Sequence, residues 1–133
     1  MLVVDASVLA TALADDAGDG DRARARLRGE QLAAPELLDL EVLSVFRRQV
    51  QAGRLHERRA DLARADLDAT PLHRSAHRPL LARCRQLRNN VTVYDAAYVA
   101  LAELLDCDLL TFDQRLSNAP GPRCRIEVLE ATR

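Results

Sequence analysis

No lysine occurs among the 133 residues, so all 19 basic side chains counted with lysine are arginine. That absence excludes a P-loop phosphate lysine, a Schiff-base lysine and the lysine of a phospho-acceptor receiver domain. Tryptophan is missing too. Tyr94, Tyr98, Phe46 and Phe112 are the whole aromatic complement, too few for a platform on which bases stack. The three cysteines, Cys84, Cys107 and Cys124, are odd in number and widely spaced with no C-x-x-C pair. Free thiols in a reducing compartment are the simplest account, and zinc has no ligand pattern here. The opening MLVVD has no basic stretch and meets Asp5 after a short apolar run, unlike a signal peptide or membrane span. A cytoplasmic protein is expected.

An apolar fraction of 48% over this length suits one domain, 1–133, with a buried core. Net charge is only -1, yet its distribution is uneven. Arg47, Arg48, Arg54, Arg58, Arg59, Arg64, Arg74, Arg78, Arg83, Arg85 and Arg88 crowd the middle of the chain, against Glu57, Asp61, Asp66 and Asp68. A basic middle beside an acidic pocket suits a nuclease, which must attract phosphate while its ligands stay anionic. For any single arginine, a solvated and locally paired position is an equally good reading.

Strand and helix signals alternate. Leu2 to Val4 reads as a buried strand, followed by a helix over about 6–14 and, after DDAGDGD, another through Arg28 capped by Asp19 or Asp21. That loop is no EF-hand, since its third and twelfth positions are Ala17 and Arg26. The spacing predicts a strand over 31–34 and a helix from Pro35 to about Gln51, then a helix over 56–68 and a strand over 70–73. Ser75 is expected to cap a helix to Arg88. Thr92 and Asp95 form a T-x-x-D box opening a helix to about Leu105, Asp108 to Phe112 is a strand, Asp113 opens a short helix, and Ile126 to Leu129 is a last strand. This order implies α/β architecture, a parallel sheet covered by helices on both faces with its crevice beyond the carboxyl ends of the strands.

Four acids, Asp5, Glu41, Asp95 and Asp113, stand where strands end or helices begin or run. Singly each has a structural explanation. The three aspartates could cap helices and Glu41 could face solvent. Jointly they suggest a carboxylate cage for a divalent metal, since such a cluster stays ionised only if a hard cation neutralises it. Glu41 lies in LLDLEVLSVF, a helix apolar on most sides, where a free carboxylate is costly. Asp39 is its competitor, two residues earlier and so on another face.

The segments VVDASVLA, APELLDLEVLSVF, VTVYDAAYVALAELLDCDLLTFD and the QRL that follows carry a resemblance over nearly the whole chain. In this order they resemble PIN-domain ribonucleases, specifically VapC-type toxins of toxin–antitoxin pairs. The resemblance implies a PIN-like fold with four or five strands, and Mg²⁺ held by Asp5, Glu41, Asp95 and Asp113, with Mn²⁺ as a substitute. Ser7 and Thr111 are its expected polar supports, and Asp113 varies most among relatives. It also implies an RNA substrate, a VapB-like antitoxin and a homodimer. The mechanism expected is in-line attack by a metal-activated water, leaving 5′-phosphate and 3′-hydroxyl ends without a protein nucleophile. Arg115, Arg47 and Arg48 are candidate contacts to RNA phosphate.

Two other readings compete. A non-catalytic PIN-like module would bind RNA or protein only. A haloacid-type enzyme would use Asp5 as nucleophile, but it wants a second Asp two residues on, where this chain has Ser7. His73 and His77 are four apart with no third ligand in sight.

Overall fold

The computed structural model describes residues 1–131; the last two residues of the expected domain span lie outside the described residues. Five short strands form one parallel sheet: β1 (Leu2–Val4), β2 (Leu32–Pro35), β3 (His73–Ser75), β4 (Asp108–Thr111) and β5 (Ile126–Val128), in the order β3-β2-β1-β4-β5. The helices among the described residues are α1 (Ala6–Ala14), α2 (Gly18–Leu27), α3 (Leu37–Gln51), α4 (Glu57–Ala69), α5 (Leu81–Gln86), α6 (Val93–Leu104) and α7 (Gln114–Asn118), with a 3-10 turn over Arg78–Leu80. The expected α/β class and parallel sheet are present.

The middles of the central strands are apolar because a parallel sheet is covered on both faces. Val3, Val4, Ala33, Ala34, Leu109 and Leu110 are all fully buried. Right-handed crossovers set the helix layers. From β1 outward to β3 they carry α1 to α4 on one face, and the return from β3 to β4 carries α5 and α6 across the other. Helix α6 buries every residue from Ala96 to Ala102, as befits an element clamped between the sheet and α5. Strand order reverses between β1 and β4, whose carboxyl ends therefore flank a crevice. The two ends are tied where the Asp5 N–H donates to the Leu110 carbonyl at 3.0 Å.

Several boundaries differ from expectation. Pro35 closes β2 rather than opening α3. At this strand end the ladder is continued by Glu36, whose N–H donates to the Ser75 carbonyl at 2.9 Å. Neither Asp19 nor Asp21 caps α2. Asp15 does, its carboxylate accepting from the N–H groups of Ala17 at 2.8 Å and Gly20 at 3.2 Å. Glycine is required at position 20 because a Cβ there would stand 1.8 Å from the Asp15 carbonyl oxygen. The third strand is shifted to His73–Ser75, so Ser75 pairs with Pro35 instead of capping a helix. The single helix expected to reach Arg88 is a 3-10 turn plus the short α5.

Candidate active site

The four acids come from four segments distant in sequence, and topology explains why each reaches the same end of the sheet. Asp5 directly follows β1 and Asp113 follows β4, the two strands that flank the switch point. Glu41 sits in the second turn of α3, which starts just after β2. Asp95 lies in the first turn of α6, on the other face of the sheet. Thr92 fixes that turn by accepting from the Asp95 N–H at 3.1 Å, the N-cap the T-x-x-D pattern implied.

Asp5 occupies the N-cap position of α1, yet its side chain makes no capping bond. It accepts from the Thr111 hydroxyl at 2.8 Å and the Ser7 hydroxyl at 3.2 Å. Thr111 is fully buried and also accepts from the Asp113 N–H at 3.0 Å, so one hydroxyl links the ends of β1 and β4. Asp113 caps α7 by accepting from the Arg115 N–H at 2.9 Å. Its capping explanation therefore holds, unlike that of Asp5.

The carboxylates sense one another. Burial raises the Asp5 carboxyl above its ordinary range, with the Thr111 and Ser7 hydroxyls pulling it back. Burial also raises Glu41, as do the charges of Asp5 and Asp95. Asp95 is raised by burial and by Asp5 and Asp113. Burial and like charge both disfavour uncompensated anions. Among the described residues no three Asp, Glu, His or Cys side chains are gathered tightly enough to hold an ion as they stand. Asp5, Glu41 and Asp95 lie within electrostatic range of one another and Asp95 within range of Asp113, offering hard oxygen donors of the kind magnesium and manganese prefer.

Tyr98 is the residue that the sequence reading passed over. It is 1% exposed, and its hydroxyl donates to Glu41 Oε1 at 2.7 Å. A signal existed. Tyr98 is the one polar-tipped side chain in the buried run AAYVALA, and a buried phenol needs a partner. It also lies three residues after Asp95, on the same face of α6.

Helix α3 carries apolar residues on several sides, as expected, but not all of those sides are covered. Leu38, Val42 and Phe46 are buried, while Leu40 and Leu43 are 73% and 39% exposed. Asp39 is accounted for elsewhere: Arg74 grips it through Nε at 2.7 Å and Nη2 at 2.9 Å. Of the arginines proposed for phosphate, Arg48 stands seven residues after Glu41, on its face of α3, and its charge reaches the Glu41 carboxyl. Arg47 lies roughly a third of a turn away on that helix. Arg115 reaches across the pocket to Asp95 electrostatically, and its side chain is 94% exposed. Other members of the basic middle are paired locally, Arg59 with Asp16, Arg64 with Asp68 and Arg83 with Glu103.

His77 has a structural task, its Nε2 accepting from the Leu37 N–H at 3.0 Å at the start of α3. The cysteines are free. A cavity of about 730 Å³ between the α1–α2 and α3–α4 connections, lined in part by Asp15, Phe46, His56 and Arg59, contains none of the four acids. A shallower one of about 490 Å³ includes both Asp95 and Asp113. Among the described residues no helix is long and apolar enough to cross a membrane.

The sequence model of the PIN domain matches residues 2–122. Ribonuclease VapC1 of Mycobacterium tuberculosis is 44% identical over 131 residues, covering 96% of each chain. Ribonuclease VapC9 of the same species is 38% identical over 129 residues, covering 97% of this chain and 98% of that one. Among solved structures, PAE2754 from Pyrobaculum aerophilum superposes with a TM-score of 0.71 at 24% identity, covering 96% of this chain and 83% of its own. That last likeness speaks to the fold. With nearly its full length matched by the PIN domain and by two ribonucleases of the VapC type, this chain belongs to the PIN-domain family.

Proposed function

We propose that the chain is a divalent-metal-dependent endoribonuclease acting as the toxin of a VapBC-type toxin–antitoxin module. Family membership and the 44% identity to a VapC ribonuclease support the activity. One observation carries the site: Asp5, Glu41 and Asp95, from three separate segments, repel one another across a part-buried pocket backed by the Thr111 and Tyr98 hydroxyls.

In this reading Asp5, Glu41 and Asp95 hold Mg²⁺, or Mn²⁺ in its place, and Asp113 completes the acidic rim. Bound there, such an ion would supply an activated water and neutralise charge at the phosphate. The rest falls to the chain itself. Thr111 and Ser7 fix the Asp5 oxygens, Tyr98 fixes Glu41, and Arg48 and Arg115 draw RNA phosphate towards the acids. In this reading water is the attacking group, and the Ser7 hydroxyl serves Asp5, to which it donates.

In this reading the chain acts as a single domain in the cytoplasm, where RNA is found. Exposed Leu40, Val93 and Tyr94, each more than half accessible, support a homodimer with α3 and α6 at the contact. A cavity of about 710 Å³, lined by Leu9, Leu13, Leu27 and Leu32 with charges of both signs at its edge, supports capture of an apolar segment of a VapB-like antitoxin.

The test incubates purified chain with a mixed RNA pool and manganese, with and without chelator, beside Asp95→Asn. Cutting that needs the metal and is lost in the variant is the expected result. Chelator-insensitive cutting, or an undiminished variant, overturns the mechanism. Intact RNA under every condition favours the non-catalytic reading.

A further inference from the structure

Beside the acids the chain builds a second wall. The open cavity of about 490 Å³ that includes Asp95 and Asp113 is also lined by Arg88, Asn89, Asn90 and Arg115, the last paired with Asp113 at 3.5 Å, a volume within the ~300–1,000 Å³ typical of small-ligand sites. We infer that this groove is the subsite for the nucleotide flanking the bond to be cut, with the Asn89 and Asn90 carboxamides reading its base and Arg88 and Arg115 holding its phosphates. The inference deepens the nuclease reading and rests on it.

The chemistry on this wall is what single-stranded RNA asks for. A carboxamide carries donor and acceptor side by side, which matches the edge of an unpaired base. Neither the Asn89 nor the Asn90 side chain hydrogen-bonds another described residue, so both are available. Asn90 is nevertheless held in place. Gly121, at φ +107°, comes so close that a Cβ would lie 3.1 Å from Asn90 Nδ2 and 3.0 Å from Leu87 Cδ2. The Gly121 carbonyl in turn accepts from Arg83 at 2.8 Å, and Arg83 is anchored by both oxygens of Glu103. One Arg88 nitrogen donates to the Arg85 carbonyl at 2.8 Å, which leaves the outer part of its fork free for phosphate. With no aromatic side chain lining the groove, hydrogen bonding rather than stacking must carry the reading.

The experiment sequences the cut ends from a randomised single-stranded RNA pool treated with manganese and full-length chain, comparing wild type with Asn89→Ala and Asn90→Ala. In parallel, fluorescence anisotropy follows a labelled unstructured oligoribonucleotide in chelator, adding Arg88→Ala and Arg115→Ala. Wild type should prefer particular bases at one position beside the cut, and the asparagine variants should flatten that preference by roughly tenfold. The arginine variants should weaken oligonucleotide binding whatever the sequence. An unchanged cut pattern with unchanged affinities sinks the subsite and leaves the nuclease reading standing. Binding without cutting, weakened by the variants, keeps the subsite while the catalytic reading falls.

Discussion

The Tyr98 hydroxyl and Glu41 Oε1 are 2.7 Å apart although 57 residues separate them, and this bond locks helix α6 to helix α3 at the acidic pocket. The phenol is a donor only in its neutral form. Burial and the neighbouring Glu41 and Asp5 charges hold its pKa far above the ordinary tyrosine value, so the bond persists through any physiological pH. Tyr98→Phe should retain the fold at a cost of about 1 kcal/mol while leaving Glu41 free to rotate. RNA cleavage should fall by roughly 10–100-fold, the usual effect of losing a supporting partner behind a ligand. Chemical denaturation and initial cleavage rates read the two effects separately, and full activity in the variant would refute the supporting role.

Thr111 spans the switch point through one hydroxyl that donates to Asp5 and accepts from the Asp113 N–H. Thr111→Val keeps the shape and leaves a buried N–H and a part-buried carboxylate without that partner, so thermal unfolding should report a loss of about 1–3 kcal/mol. Thr111→Ser retains the hydroxyl and should recover most of the cleavage. Equal defects in both variants would point to packing of the methyl group instead.

The charge conflict in the pocket makes a prediction about pH. Asp5, Glu41 and Asp95 each bind a proton more tightly in the folded chain than in the unfolded one. Over the window above the ordinary carboxylate range, the folded state therefore carries more protons. Stability from this cluster is complete in acid and declines as pH rises through the raised values. Glu103 and Glu127 are lowered by their arginine partners and act in the opposite sense, so the readout is the difference between wild type and Asp95→Asn. In chelator at neutral pH the variant should melt above wild type, with the gap closing towards about pH 4. Magnesium should then raise the wild-type melting temperature more than that of the variant. A variant that melts no higher than wild type at neutral pH removes the repulsion argument.

Asp39 and Glu41 share a helix and differ in consequence. Asp39 is spent on Arg74, in a pair about a third exposed on both sides, so Asp39→Asn should cost no more than about 1 kcal/mol and leave cleavage unaltered. Glu41→Gln should abolish cleavage without lowering the melting temperature. Reversal of these two outcomes in a cleavage assay would move the ligand role from Glu41 to Asp39.

Periodicity and local chemistry made the α/β class legible in the sequence, along with the order of strands and helices and the caps at Thr92 and Asp113. These depend on side chains a few residues apart, and the parallel strands are short apolar runs that suit only a covered sheet. The four acids could be singled out because each interrupts an apolar segment or follows a strand. Local signals failed where the tertiary structure supplied the partner. Pro35 joined the strand because Ser75 lies opposite it, and His77 found the Leu37 N–H from 40 residues away. The strand order, which sets Asp5 beside Asp113, and the pairing of Tyr98 with Glu41 belong to the folded chain alone. A hydrogen bond between distant segments leaves no pattern along one of them, because its energy depends on a separation that only packing fixes.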